Sequence, residues 1–477
     1  MNEHAVSEDT KTALCERALI QDDQFPQLIN ALNMQYMSDA FKTFFKREYP
    51  DRFIQVDDVA IGRLIHKPGR RCKVSWKLWL RDSQKGIFTT FFVGHLLKKG
   101  KTILPEETVK PEQWPGCDYF KPVQYWAELD AVLFAFPYDK SMDALGMMLE
   151  EDFIRQKINE NKADFGFDNQ GVALDVTIEP VKYMPKKRAI IKYSFSPTIP
   201  SNDKTEVVFY GKTSQGSGNL YVYNILKLIC KSEACVSNQL RVPQPIAYLE
   251  KYNTLWLHAL PGEKLRSFLK KPDDWQLFLS DGYAEKLAQL LLTLHEIEID
   301  RDLLHPAEDW KYQIANIRKK IKEIKKFSSE HAAFFEHLHE SMFAQISMFD
   351  AEYKKTTIHG TFKIAQIMCS NNELSVLDFD GISYGDPVYD LGELFASIAY
   401  STISDAVPCE LSEAIINKIK MTYERHAKWP LDEDRLNWYI SAFLIGKVHS
   451  SMKRHERFVF EKMAAVLTML TKYVDHV

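Results

Sequence analysis

The sequence lacks the features that would place it among secreted, membrane or nucleic-acid-binding proteins. It has seven cysteines in 477 residues and none forms a CxxC pair, which argues against a disulfide framework and a zinc ribbon. No window approaches the roughly 18 apolar residues of a membrane span, and the polar N-terminus has no signal-peptide core. Lysine and arginine (61) nearly balance aspartate and glutamate (65). We therefore predict a soluble cytoplasmic protein with reduced thiols and neither a membrane nor a nucleic-acid partner.

What the chain does have is an ordinary globular balance, with 45% hydrophobic and 26% charged residues. Helical spacing of apolar residues predicts a helix within residues 12–48, and alternation predicts strands over 56–97 and 128–136. A further helix is predicted for residues 141–157. The strand pattern then starts again. The second set of predicted strands covers 173–182, 188–196 and 205–213.

The two strand-rich stretches align at a constant offset of 117 residues with no gap. Several identities fall into register across two turns. The identical pairs are Asp58/Asp175, Val59/Val176, Ile61/Ile178, Pro68/Pro185, Arg71/Arg188, Phe92/Phe209 and Gly94/Gly211. Chance is the alternative in β-rich sequence, but the preserved offset favours duplication. Residues 50–135 are therefore a candidate second copy of a small β-lobe.

After residue 217 the pattern changes from strands to helices. A helix, two strands near 242–249 and 254–259 and a Pro-Gly turn lead into a mostly helical region with one embedded hairpin. This order predicts an α+β, two-lobed protein-kinase-like fold. We expect the following division: an N-terminal helical segment (1–50), an α+β region (51–172), a β-rich N-lobe (173–260) and a helical C-lobe (261–477).

The chemistry is concentrated in residues 357–395. A strand delivers His359-Gly360, a polar loop follows, and a hairpin then ends at Asp378. Phosphoryl transfer needs a group that orients the incoming hydroxyl and metal ligands that bridge the phosphates. A loop beside the end of a hairpin brings such groups together with little conformational freedom.

This segment resembles the aminoglycoside phosphotransferase and choline kinase family, in which a His-x-Asp-x4-Asn loop precedes a metal-binding Asp. The downstream Gly-Asp-Pro-x-x-Asp-Leu at 385–391 is similar to the same family. The resemblance makes His359 the loop histidine and Asp378 a metal ligand, while Asp386 and Asp390 support the loop. It implies ATP and Mg²⁺ as cofactors and a small-molecule hydroxyl as acceptor.

Two loop positions depart from the family pattern. Thr361 stands at the place of the catalytic Asp, and Gln366 at the place of the metal-binding Asn. A threonine cannot act as a carboxylate base, whereas Gln366 keeps a carboxamide oxygen for a metal. Asp380 or a substrate carboxylate could replace the base, and Lys363 could contact a phosphate. The alternative for Asp380 and Lys363 is an ordinary solvated side chain.

The small lobe offers a second set of candidate residues. Lys212 ends an alternating strand and resembles the kinase lysine that holds the α- and β-phosphates, while the first copy has His95 there. The following segment, 216–231, contains no carboxylate to pair with Lys212. Arg188, at a hairpin turn, could approach phosphates. The backbone of the connector is expected to meet an adenine edge at Leu257, His258 and Ala259.

Two functions of different classes follow. The first is an ATP-dependent phosphotransferase acting on a small-molecule hydroxyl. The second is a catalytically silent pseudokinase that binds nucleotide or a protein partner, which the changes at Thr361 and Gln366 favour. Transfer of AMP by an altered loop is a third, weaker interpretation. The acceptor and the oligomeric state are left open by the sequence.

Overall fold

The protein is described here by a computed structural model that covers residues 22–101, 119–165, 175–196, 206–280, 282–308, 310–350 and 352–474. Two compact units are present. The first comprises the described residues up to Leu220, with Pro245–Ala259 and Lys453–His455, and the second comprises the remainder. In this part of the chain no helix combines the length and apolarity that a membrane crossing requires. The five described cysteines are free thiols, and Cys15 and Cys117 lie outside the described ranges.

The first unit contains two antiparallel five-stranded sheets with the same strand order. The strands of the first sheet are β1 (Ile54–Lys67), β2 (Arg71–Asp82), β3 (Gly86–Leu96), β4 (Val123–Trp126) and β5 (Ala131–Ala135). The strands of the second are β6 (Thr177–Met184), β7 (Arg188–Phe195), β8 (Val207–Ser214), β9 (Pro245–Leu249) and β10 (Thr254–His258). Their orders are β1-β2-β3-β5-β4 and β6-β7-β8-β10-β9. The predicted α+β class is thus confirmed.

The pairing of β2 with β3 repeats in the pairing of β7 with β8 at the offset of 117. Val74 lies opposite Gly94 in the first sheet, and Ile191 lies opposite Gly211 in the second. A Cβ on Gly94 would come within 2.7 Å of the Trp76 ring, and a Cβ on Gly211 would come within 2.7 Å of the Tyr193 ring. In each sheet the ring belongs to the residue two positions after the one that lies opposite the glycine. Each glycine is therefore needed so that a large ring can cross the strand.

Those two rings also make the same buried hydrogen bond. Trp76 Nε1 donates to the carbonyl of Ala31 at 3.0 Å, and the Tyr193 hydroxyl donates to the carbonyl of Met148 at 3.0 Å. Donors and acceptors are each 117 positions apart. An indole N–H in one copy and a phenol O–H in the other thus donate to carbonyl groups at equivalent positions. The repeat therefore extends into the segments that precede the sheets.

Each first hairpin is clamped by an aspartate at its tip. Asp22 accepts from the N–H of Gly69 at 2.9 Å, and Asp139 accepts from the N–H of Lys186 at 2.7 Å. In each copy a side chain from the first strand also contacts the same carboxylate oxygen. His66 Nε2 lies 2.8 Å from Asp22 Oδ2, and the Tyr183 hydroxyl donates to Asp139 Oδ2 at 2.9 Å. We infer from the shared order, register and clamps that the two halves of this unit arose by duplication.

The helices of the first unit precede the sheets. They are α1 (Leu28–Ala31), α2 (Met34–Glu48) and α3 (Glu151–Glu160), and α4 (Gly218–Lys231) starts in this unit. Two predictions were partly wrong here. Residues 127–129 form a 3₁₀ turn, so the strand predicted at 128–136 is only β5, and β4 was missed. The helix predicted at 141–157 begins only at Glu151, because two 3₁₀ turns precede it.

The second unit is mainly helical. Its short strands are β11 (Glu263–Lys264), β12 (Thr356–Ile358), β13 (Ile367–Ser370), β14 (Glu373–Val376) and β15 (Ser383–Gly385). Its helices after α4 are α5 (Glu233–Val236), α6 (Leu265–Leu269), α7 (Gln276–Leu279), α8 (Tyr283–Glu296), α9 (Trp310–Phe327), α10 (Ala332–Ala344), α11 (Pro387–Ser404), α12 (Cys409–His426), α13 (Glu433–Lys453), α14 (Arg457–Glu461) and α15 (Met463–Val474). Helix α8 packs on α12, and β12 pairs with β15. The predicted hairpin is confirmed as β13–β14.

Candidate active site

The loop after β12 is held by one buried carboxylate. Asp390, in the first turn of α11, is fully buried. It accepts from the backbone N–H groups of His359 and Gly360 at 2.6 and 2.9 Å, and from His295 Nε2 at 3.1 Å. The other ring nitrogen of His295 lies 2.7 Å from the Tyr423 hydroxyl. Asp390 therefore holds the loop through its backbone, and His295 holds Asp390.

Glycine is required where this loop crosses the segment after Asp378. Gly360 has φ +73°, and a Cβ there would lie 2.0 Å from the carbonyl oxygen of Gly381. A Cβ on Gly381 would in turn lie 2.9 Å from the Thr361 methyl group. The two segments thus approach to backbone contact, and this fixes Thr361 relative to Asp378.

His359 is completely buried and its two ring nitrogens have different roles. Burial lowers the pKa of His359, which keeps the ring neutral near pH 7. Nε2 lies 3.1 Å from the carbonyl oxygen of Leu377, an atom that can only accept, so Nε2 carries the proton. Nδ1 is then an acceptor for the Thr361 hydroxyl at 3.2 Å. The ring therefore orients Thr361.

A chain of hydrogen bonds continues from Thr361 to Asp378. Gln366 Nε2 donates to Thr361 Oγ1 at 3.3 Å and to Asp378 Oδ2 at 3.1 Å. Gln366 is 6% exposed, whereas Asp378 is exposed to solvent. Asp378 has φ 70° and ψ 67°, a left-handed conformation that is strained for a residue with a side chain.

The residues at this site fit a Mg²⁺ ion bound mainly through substrate phosphates. No group of three or more His, Cys, Asp or Glu side chains suited to a metal occurs in the described ranges, so the chain alone supplies few ligands. Mg²⁺ usually takes one or two carboxylates and keeps water and phosphate oxygens. Gln366 Oε1 is buried without a hydrogen-bond partner in the described structure. If the amide oxygen and nitrogen of Gln366 exchanged places, the amide oxygen would lie 3.1 Å from Asp378 Oδ2. This distance is close to the roughly 2.9 Å that separates neighbouring oxygen ligands of Mg²⁺.

The remaining loop candidates lie at the edge of this network. Asp380 is exposed, two residues beyond Asp378. Lys363 Nζ lies 3.9 Å from Glu393 Oε1, and burial raises the pKa of Glu393 to about 7 while Lys363 lowers it. Glu393 was not among the sequence candidates, because nothing in its helical spacing distinguishes it from an exposed glutamate.

The nucleotide-binding candidates belong to the first unit. Lys212 is half-buried on β8, opposite Ile190 and Leu255. The Arg188 side chain is partly exposed at the start of β7. The connector residues Leu257 and His258 end β10, where His258 Nε2 lies 3.1 Å from the carbonyl of residue 164. The N–H of Ala259 donates to the carbonyl of residue 208 at 3.2 Å, so this donor is engaged in the sheet. The role of Leu257, His258 and Ala259 toward adenine stays a prediction.

Comparison with known proteins agrees with the resemblance found in the sequence. Residues 223–428 match the model of a family described as the phosphotransferase enzyme family. No curated protein matches the chain. Similar solved structures include choline kinase from Cryptosporidium parvum Iowa II, with 12% identity, TM-score 0.43, and coverage of 69% of this chain and 97% of that chain. They also include choline kinase LicA from Streptococcus pneumoniae, with 14% identity, TM-score 0.41, and coverage of 68% and 99%. A thermostable mutant of aminoglycoside phosphotransferase APH(4)-Ia has 13% identity, TM-score 0.43, and coverage of 67% and 98%.

Proposed function

We propose that this chain, whose residues 223–428 match the phosphotransferase enzyme family, is a cytoplasmic ATP- and Mg²⁺-dependent phosphotransferase that acts on a small-molecule hydroxyl. The observation that carries the proposal is the hydrogen-bonded chain from His359 through Thr361 and Gln366 to Asp378. It holds the positions that the family uses for the base and the metal, although two of the residue types differ.

Asp378 and Gln366 would hold the Mg²⁺, which supplies charge neutralisation on the phosphate oxygens when bound. Thr361 Oγ1 accepts a hydrogen bond from Gln366, and its hydroxyl donates a hydrogen bond to Nδ1 of His359. Its remaining lone pair can accept a hydrogen bond from an acceptor hydroxyl and so orient it, but Thr361 cannot remove the proton. General-base assistance is worth about 10²- to 10⁴-fold, and phosphoryl transfer depends mainly on positioning and electrostatics. We therefore expect a slow enzyme whose acceptor proton leaves with a phosphate oxygen or with water.

One observation favours the pseudokinase alternative. The amide of Gln366 donates to Asp378 and so occupies one of the carboxylate oxygens expected on the metal. A chain that keeps this arrangement with nucleotide present would bind ATP without turning it over. The two functions therefore differ in which atom of the Gln366 amide faces Asp378: the oxygen in the enzyme and the nitrogen in the pseudokinase.

The first experiment measures binding. The melting temperature is recorded against ATP concentration with and without Mg²⁺, for the wild type and Asp378→Ala. The proposed enzyme shows a Mg²⁺-dependent shift that Asp378→Ala reduces. Absence of any ATP-dependent shift in the wild type refutes both the kinase and the nucleotide-binding pseudokinase.

The second experiment measures turnover with a panel of hydroxyl acceptors and identifies the nucleotide product. ADP indicates phosphoryl transfer, and AMP with pyrophosphate, or pyrophosphate alone, indicates nucleotidyl transfer. Thr361→Asp restores the base and is expected to raise phosphoryl transfer by at least about 10²-fold. Thr468→Asp adds the same carboxylate to an exposed helical position and serves as the matched control. Binding without turnover in both the wild type and Thr361→Asp identifies a pseudokinase.

A further inference from the structure

A small basic pocket lies within the first unit and contains none of the proposed phosphotransferase site residues. It has a volume of about 210 Å³ and is lined by residues of β1, β2 and β3 and by the β6–β7 turn. The charged or titratable side chains that line it are Arg63, Arg71, Lys73, His95, Lys186 and Lys187. No carboxylate is among the lining residues.

The positive charge in this pocket is poorly compensated. Burial, with the charges of Lys186 and Arg71, lowers the pKa of Lys73 from 10.5 to about 8. Burial and three neighbouring cations lower the pKa of His95 to about 3. Arg63 Nη1 is buried with no hydrogen-bond partner in the described structure. A buried guanidinium nitrogen normally has a partner, so this site lacks an acceptor.

The backbone at Lys186 gives an independent indication. Lys186 is at φ 61°, in the left-handed region that glycine adopts at lowest cost. In the first copy the position equivalent to Lys186 is Gly69, which follows Pro68 and has φ 62°. The second turn therefore bears a strained lysine where glycine would fit better, and its side chain lines the pocket. Strain of this kind is retained where the side chain has a role.

We propose that this pocket binds a phosphate-bearing anion. A phosphate group presents several charged oxygens and can accept from an arginine fork and two lysines together. The pocket is smaller than the roughly 300–1,000 Å³ typical of sites for drug-sized ligands, so it suits a phosphate or pyrophosphate group rather than a whole nucleotide. The anion would supply the missing acceptor for Arg63 and would keep Lys73 protonated. This proposal does not rest on the proposed phosphotransferase activity.

The test is isothermal titration of the full-length protein with inorganic pyrophosphate at low ionic strength and without Mg²⁺. We expect saturable binding that weakens as salt is raised. Lys73→Met and Lys186→Gly are each expected to weaken binding by about tenfold or more while the melting temperature stays the same or rises. Lys46→Met removes an exposed lysine from the same unit and is expected to bind as the wild type does.

A fourth variant separates this pocket from the nucleotide site. Lys212→Met is expected to keep pyrophosphate binding, because its side chain does not line the pocket. Loss of binding in Lys212→Met with retention in Lys73→Met and Lys186→Gly overturns the proposal. So does a wild type that fails to bind pyrophosphate at millimolar concentration. Because neither pocket variant is expected to lose stability, loss of binding cannot be attributed to unfolding.

Discussion

Replacement of Lys73 by methionine is expected to make the unliganded protein more stable at neutral pH. Folding lowers the pKa of Lys73 from 10.5 to about 8. At about 1.36 kcal/mol for each pKa unit, the upper limit of the penalty is about 3.4 kcal/mol. Lys73 is only half-buried and solvent screens its charge, so we expect about 1.5 kcal/mol. Methionine keeps the apolar length of the side chain and removes this penalty.

The dependence on pH identifies the cause. Below pH 8 Lys73 is protonated in both states and the penalty is fully present. Between pH 8 and 10.5 the unfolded chain binds more protons, so the wild type gains stability relative to Lys73→Met, and above 10.5 the difference vanishes. The groups that face Lys73 are Arg71 on its own strand, Arg63 on β1, His95 on β3 and the lysines of the β6–β7 turn.

Urea unfolding of both proteins at a series of pH values from 7 to 11 measures this difference. Other titrating groups are common to the two proteins and cancel in the comparison. Lys46→Met, with an exposed lysine, is expected to differ from the wild type by less than about 0.5 kcal/mol at every pH. A difference between Lys73→Met and the wild type that is independent of pH would refute the assignment of the penalty to a buried charge.

Two further substitutions test the contacts that hold the loop and the repeat. Asp390→Asn removes a fully buried carboxylate that accepts from two backbone N–H groups, and we expect a loss of about 3 kcal/mol in urea unfolding. Asp302→Asn, at a carboxylate with 88% side-chain exposure, is expected to have no measurable effect. Tyr193→Phe leaves the carbonyl of Met148 without its donor, and we expect a loss of about 1–2 kcal/mol in the same assay. Unchanged stability in either buried variant would contradict the role given to that hydrogen bond.

Much of the fold could be predicted from the sequence because turns and alternation fix a β-hairpin. Asn371 and Asn372 both have positive φ, as a two-residue turn between β13 and β14 requires, and this turn closes the hairpin that the sequence predicted before Asp378. The offset of 117 predicted the pairing of the first three strands of each sheet. The extension of the repeat to Asp22 and Asp139 was not predicted, because these segments share few identities at that offset, among them Leu28/Leu145 and Leu32/Leu149.

The site could be predicted only in part. Motif spacing placed Thr361, Gln366 and Asp378 together, and the structure joins them by hydrogen bonds. Spacing could not show that His359 is buried, since burial depends on residues distant in sequence such as Phe379, whose ring lies 5.0 Å away. Nor could it show that Gln366 donates to Asp378, because the direction of an amide is set by its neighbours in three dimensions.

The differences between the two copies are as informative as their agreement. The contacts that recur, such as the aspartate clamps, satisfy backbone groups at the hairpin tips, so their loss would destabilise either copy. Among the residues that differ are His95 and Lys212, which occupy equivalent positions in the two sheets. His95 lies on β3 opposite β5, and Lys212 lies on β8 opposite β10. A second such pair is Gly69 and Lys186 at the turn. Folding would accept glycine at both turns, so a lysine in the strained conformation needs another explanation. If duplication freed one sheet from the requirements of the other, the two copies would be expected to diverge at positions that meet a ligand. Lys73, His95 and Lys186 of the basic pocket are such diverged positions.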